Sequence, residues 1–108
     1  MIARIWHGHT KPEDADRFEA MLKPEVWPRI SSAAGYIGSY LLRRQKDKEV
    51  EFITVIFWDS INSIRAIVGE DYEAAVVPEE RRKYLSRYDE RAAHYEIASV
   101  HGWGVALN

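Results

Sequence analysis

The stretch Phe52-Ile-Thr-Val-Ile-Phe-Trp-Asp-Ser60, running on into Ile61-Asn-Ser-Ile-Arg-Ala-Ile-Val-Gly69, decides how this chain folds. Its first half reads as a strand that is apolar on both faces. Phe52, Ile56 and Trp58 point one way; Ile53, Val55 and Phe57 point the other. A strand in a half-exposed antiparallel sheet alternates apolar with polar residues. This one does not, so both of its faces need a cover. Asp59 and Ser60 are N-cap residues. Ile61, Ile64, Ile67 and Val68 then recur at helical spacing until Gly69. One segment therefore predicts a strand, a helix and a second covering layer.

Working outward, Ile2–Thr10 reads as another strand apolar on both faces, through Ile2, Ala3, Ile5 and Trp6. Pro12 suits the first position of a helix, and Glu13 and Asp14 suit its positive end. Ala15, Phe18, Met21 and Leu22 extend that helix to residue 22, where Pro24 interrupts it. A second helical piece carries Val26, Ile30, Ala33 and Ala34 and ends at Gly35. Residues 36–45 form a second strand, Lys46-Asp-Lys-Glu49 a charged turn and residues 50–58 the third strand. Residues 72–77 read as a loop or a helical turn, and residues 78–85 as a short helix. Residues 90–100 read as a fourth strand. Beyond them Trp103, Val105 and Leu107 alternate in the manner of a strand.

The order β-α-β-β-α-β is the ferredoxin-like arrangement, an α+β fold with a four-stranded antiparallel sheet. A chain of 108 residues fits one such domain over residues 1–108 and buries roughly two-thirds of its unfolded surface. In this fold the helices cover one sheet face. The other would carry large apolar side chains from three strands, and a patch of that kind marks an association site. The expectation is a homodimer joined through the sheet face, each copy covering the other.

Composition excludes several classes. The net charge of −2 comes with scattered Lys and Arg, so no basic stripe for nucleic acid exists. No cysteine is present, which removes disulfide and thiolate chemistry. No apolar run approaches the roughly 20 residues of a membrane span. The first residues lack the basic and apolar regions of a secretory leader, so the expected location is cytoplasmic.

The candidate chemistry is aromatic and imidazole. Trp58 stands at a strand end, either as core or as a pocket wall with a donor N–H. His7 and His9 share one face of the first strand, and His94 lies on the fourth. One of them, His7 or His94, is the expected proton acceptor; no Asp or Glu spacing accompanies them, so no metal is expected. Tyr40 and Tyr72 are placed to present hydroxyls to a pocket between helices and sheet. The pairs Arg43-Arg44 and Arg81-Arg82 read as solvated faces. No Gly-rich phosphate loop, nucleophile elbow or dinucleotide fingerprint occurs.

Several segments together resemble the antibiotic biosynthesis monooxygenase family of the dimeric α+β barrel superfamily. They are Met1-Ile-Ala-Arg-Ile-Trp-His-Gly8, Leu41-Leu-Arg-Arg44, Phe57-Trp-Asp-Ser60, Ile64-Arg-Ala66, Gly69-Glu-Asp71, Pro78-Glu79 and His94-Tyr-Glu96, and they span about residues 1–98. The resemblance implies a homodimer with a pocket between sheet and helices in each subunit. It also implies oxidation of a small aromatic or quinone-like compound by O2 with no bound cofactor. Trp58 matches the tryptophan ending the third strand of such enzymes. Thr54 stands where they carry an amide, and Ile64 falls near their helix-borne tyrosine, so Thr54 joins Trp58, Tyr40 and Tyr72 as a substrate-contact candidate. A haem-degrading branch uses a histidine on the second helical region, whereas this chain has no His between residues 10 and 93. The same scaffold would also serve a non-catalytic small-molecule binding dimer, or an isomerase or decyclase with one histidine as base.

Overall fold

A computed structural model describes residues 1–25 and 27–102. The elements are β1 (Ile2–Thr10), α1 (Ala15–Glu25), α2 (Trp27–Ser31), β2 (Tyr36–Gln45), β3 (Val50–Trp58), α3 (Ile61–Val68), α4 (Glu79–Arg82), β4 (Leu85–Tyr88) and β5 (Ala93–Glu96). A 3-10 turn at Pro12–Asp14 leads into α1. The strands form one antiparallel sheet in the order β2-β3-β1-β4, with β5 also paired to β1. This is the ferredoxin-like α+β fold.

The first three strands keep the predicted limits. Lys46 N–H donates to the Glu49 carbonyl at 2.8 Å and closes the β2–β3 hairpin. Gly35 has φ of 88°, a conformation favoured by glycine. A Cβ there would collide with Ser63 Oγ and lie 2.6 Å from Asp59 Oδ1. Gly35 thus lets the start of β2 approach the β3–α3 corner, where Asp59 N–H donates to its carbonyl at 2.9 Å. Ser60 caps α3, accepting from Ser63 N–H at 3.2 Å.

Three expectations need correction. α1 continues through Pro24 to Glu25, past its expected end at 22. The short helix covers only 79–82, and Leu85 already belongs to β4. The fourth strand is not continuous over 90–100. Gly8 faces Tyr88 and Ile5 faces Ala93, so the edge carries two more residues than β1 across this interval. The excess bulges outward at residues 89–92. There Ala75 N–H donates to the Glu90 carbonyl and Ala92 N–H to the Glu73 carbonyl, at 2.9 and 2.7 Å. The ambiguous loop 72–77 thus supplies the pairing that the bulge loses from β1, which keeps its backbone groups satisfied. The expectations for Val26 and for Trp103, Val105 and Leu107 lie outside the described residues.

Alternation sorts the core. On the helix side, Val50 and Phe52 pack with Ala15, Phe18 and Leu22 in one buried cluster, and Ile56 and Trp58 pack with Ile64 in a second. Thr54 is the β3 residue between them. On the opposite face lie Ile5, Tyr40, Leu42, Ile53, Val55 and Tyr95, by the register of the strands. Leu42 is 47% exposed and Tyr95 57% exposed.

Candidate functional site: a cavity between helices and sheet

The gap between the two core clusters is a cavity. It has two adjoining lobes of about 90 and about 120 Å³, which share Arg4, Ile30, Ile56, Val68, Val76 and Arg81. Trp58, Ile64, Ile67 and Arg29 complete the first lobe. Trp6, Phe18, Leu22, Thr54, Ala75 and Val77 complete the second. The walls are apolar, and the polar atoms come from a few side chains, the pattern of a small-molecule site.

Trp58 is 1% exposed and meets Tyr36 edge-on with ring centroids 6.0 Å apart. Its indole N–H is buried with no hydrogen-bond partner among the described residues. A buried orphan donor is costly unless a ligand or water reaches it. Thr54 lines the second lobe opposite Trp6 in the β1–β3 register.

The two histidines named for catalysis are on different faces. His7 is an odd position of β1 and faces away from the cavity, so of the two alternatives for the proton acceptor it does not reach the lining. Its Nδ1 lies 2.9 Å from Asp89 Oδ2 instead. His94 sits opposite Arg4 in the β1–β5 register, on the helix side. It does not line either lobe, because Arg4 stands between: His94 Nε2 is 2.9 Å from Arg4 Nη1. A guanidinium only donates, so Nε2 accepts and the neutral ring carries its proton on Nδ1. Tyr40 is likewise on the far face, edge-on to Phe57 at 5.8 Å, and does not reach the cavity. Tyr72 lies behind the lining. Its ring packs edge-on against His94 at 5.1 Å and under the Arg65 guanidinium, and its carbonyl accepts from Arg4.

Sequence reading missed the arginines. Arg4, Arg29 and Arg81 all line the first lobe, and no acidic residue appears in either lining among the described residues. Arg81 had been assigned to a solvated face. Arg4 carried a usable signal: it interrupts an otherwise apolar helix-facing register, Ile2–Arg4–Trp6, and lies diagonally from Thr54 on the neighbouring strand. Two polar positions on one face of the central strands mark where the core opens.

Burial and the adjacent Arg4 charge hold the His94 pKa below its ordinary 6.5, with Glu73 acting weakly the other way. Between the native and unfolded values the folded chain binds fewer protons. Stability therefore rises with pH across that window and falls as pH drops below about 6.5. An NMR titration of His94 is expected to show a midpoint below 6.5 and the Nδ1-protonated tautomer. In Arg4→Gln the midpoint is expected to move upward.

No protein-family model matches the chain, and no curated protein matches it. Solved structures do. A candidate antibiotic biosynthesis monooxygenase from Bacillus cereus aligns over 94% of this chain and 95% of its own, with TM-score 0.69 and 15% identity. The fold is that of the antibiotic biosynthesis monooxygenases. A second structure so described, from Chloroflexus aurantiacus, covers 93% of this chain and 97% of its own at TM-score 0.57 and 22% identity. The haem degrader MhuD of Mycobacterium tuberculosis, with two haems bound in its active site, aligns over 94% of this chain and 100% of its own at TM-score 0.62 and 17% identity. Within this antibiotic biosynthesis monooxygenase fold, the residues here do not fit haem. No histidine lines either described lobe, and Nε2 of His94 is engaged by Arg4. Among the described residues no group of three or more His, Asp or Glu side chains is placed to hold a metal.

Proposed function

We propose that the chain is a cofactor-independent monooxygenase that oxidises a small aromatic or quinone-like compound in this cavity, working as a homodimer. The observation that carries the reading is the apolar cavity walled by Trp58 on this fold. A phenolate held there supplies the electrons itself. It passes two electrons to O2, and a C–O bond forms at a ring carbon that still bears hydrogen, giving a hydroperoxide. Loss of that carbon's proton and of hydroxide leaves a carbonyl. One oxygen atom enters the product, the other leaves as water, and no external reductant is consumed. Trp58 and Thr54 orient the ring, while Ile56, Ile64, Ile67 and Val68 keep water from the intermediate. Cavity size favours compounds of one or two rings. Sheet-face dimerisation follows from the apolar surface of Leu42, Val55 and Tyr95, and the expected setting remains cytoplasmic.

Oxygen uptake with one- and two-ring monophenols that keep a ring C–H para to the hydroxyl tests the proposal. Uptake matched one-to-one by quinone carrying one 18O atom from 18O2, without hydrogen peroxide, and reduced at least tenfold in Trp58→Phe, is the expected result. No uptake with any monophenol of this size, or quinone without the 18O label, refutes it. One observation favours a second reading, ligand binding without turnover: no histidine presents a free ring nitrogen to the described lining. In that case a ligand at 100 times its Kd stabilises the chain by about 2.7 kcal/mol without consuming oxygen.

A further inference from the structure

We infer that the cavity selects small aromatic compounds that already carry an anionic group, a carboxylate or a phenolate, and that the anion is bound by the free edge of the Arg4 guanidinium. The inference names the substrate class of the site proposed above and rests on that site being the binding cavity.

Arg4 has five N–H groups. Nη1 donates to the Tyr72 carbonyl and to His94 Nε2, and Nη2 donates to the Ala74 carbonyl at 3.1 Å. That leaves Nε–H and one Nη2–H without a partner among the described residues. These belong to one planar donor fork, the geometry that takes a carboxylate or phenolate oxygen. The other three contacts fix the plane of the fork, so His94 and the 72–74 backbone act as positioning groups.

Arg4 also lacks a counter-ion. No carboxylate lies within ion-pair distance of it among the described residues. Glu73, whose field reaches His94, is already 3.2 Å from Arg91. A half-buried cation held only by neutral acceptors is incompletely compensated, and an anion reaching it completes the site. Burial lowers the Arg4 pKa from its ordinary value, the mark of that uncompensated desolvation. Arg4 borders both lobes, with Arg29 and Arg81 adding cationic field at the first. An apolar cavity with a cationic fork on its sheet side matches an aromatic anion in both shape and charge.

The test compares isosteric pairs, benzoate with benzamide and 2-naphthoate with 2-naphthamide, by NMR titration under argon at pH 8. The anion of each pair is expected to bind at least tenfold more tightly than its amide. Arg4→Gln is expected to bring the pair within twofold, and Arg4→Lys to retain part of the preference because charge remains but the fork is lost. Equal affinity for acid and amide in the unmodified chain overturns the inference, as does an unchanged preference in Arg4→Gln or no binding of any probe. Should Arg4→Gln fail to fold, the unmodified chain and Arg4→Lys still decide. Because no oxygen is present, the result is separable from turnover. Anion preference without oxygen uptake sinks the monooxygenase reading alone, and uptake without anion preference sinks this one alone.

Discussion

Trp58→Ala is expected to destabilise the chain by about 3–5 kcal/mol, the usual cost of emptying a buried aromatic site. The side chain is 1% exposed and forms the centre of the cluster that joins β3 to α3 through Ile56 and Ile64. It also holds Tyr36 at the start of β2. For a domain of about this size, each kcal/mol moves the melting temperature by roughly 4–8 °C, so the loss is readily seen by calorimetry. Trp58→Phe separates structure from site. It keeps a six-membered aromatic ring and removes the rest of the indole, including a donor with no partner among the described residues, so its stability cost is expected to be smaller than that of alanine. A fall in ligand affinity in the phenylalanine variant, with melting temperature nearly kept, assigns the indole to the ligand. A phenylalanine variant as unstable as the alanine one, with ligand binding unaffected, would return Trp58 to a purely structural role.

The strands were legible wherever both faces had to be buried. Phe52 to Trp58 left no polar register, and that forced a cover on each side. The sheet then supplies one face to Phe18 and Ile64 and leaves Leu42 and Tyr95 on the other. The edge was less legible because its strand is short, half-exposed and interrupted by two surplus residues. Periodicity alone cannot register a bulge whose lost hydrogen bonds are replaced from residues 73–75, distant in sequence. The site was half legible. Trp58 and Thr54 fall in the lining because they occupy the same face of one strand. His7 falls outside the lining through strand parity: an odd position on β1 cannot share a face with Arg4, and so cannot face the cavity. Arg4 was overlooked because a lone charge in an apolar strand resembles noise until its neighbours are known to be carbonyls and an imidazole.

Leu42→Asp is expected to convert the chain from a particle of twice 12.6 kDa to one of 12.6 kDa in sedimentation equilibrium at micromolar concentration. The site discriminates well because Leu42 is 47% exposed within one chain. A surface substitution of that kind costs a lone subunit no more than about 0.5 kcal/mol. Between two apolar sheet faces the same carboxylate would be desolvated beside Ile53, its partner on β3, while Arg44, the nearest cation on that face, is already paired with Glu51 at 3.0 Å. Stability at high dilution should therefore stay near that of the parent subunit, while association weakens by orders of magnitude. Cavity residues lie on the opposite face, so the monomer should still bind ligand if the cavity is complete within one subunit. If the unmodified chain already sediments at 12.6 kDa, the sheet face does not pair with itself, and the apolar surface of Val55, Leu42 and Tyr95 must serve a different partner.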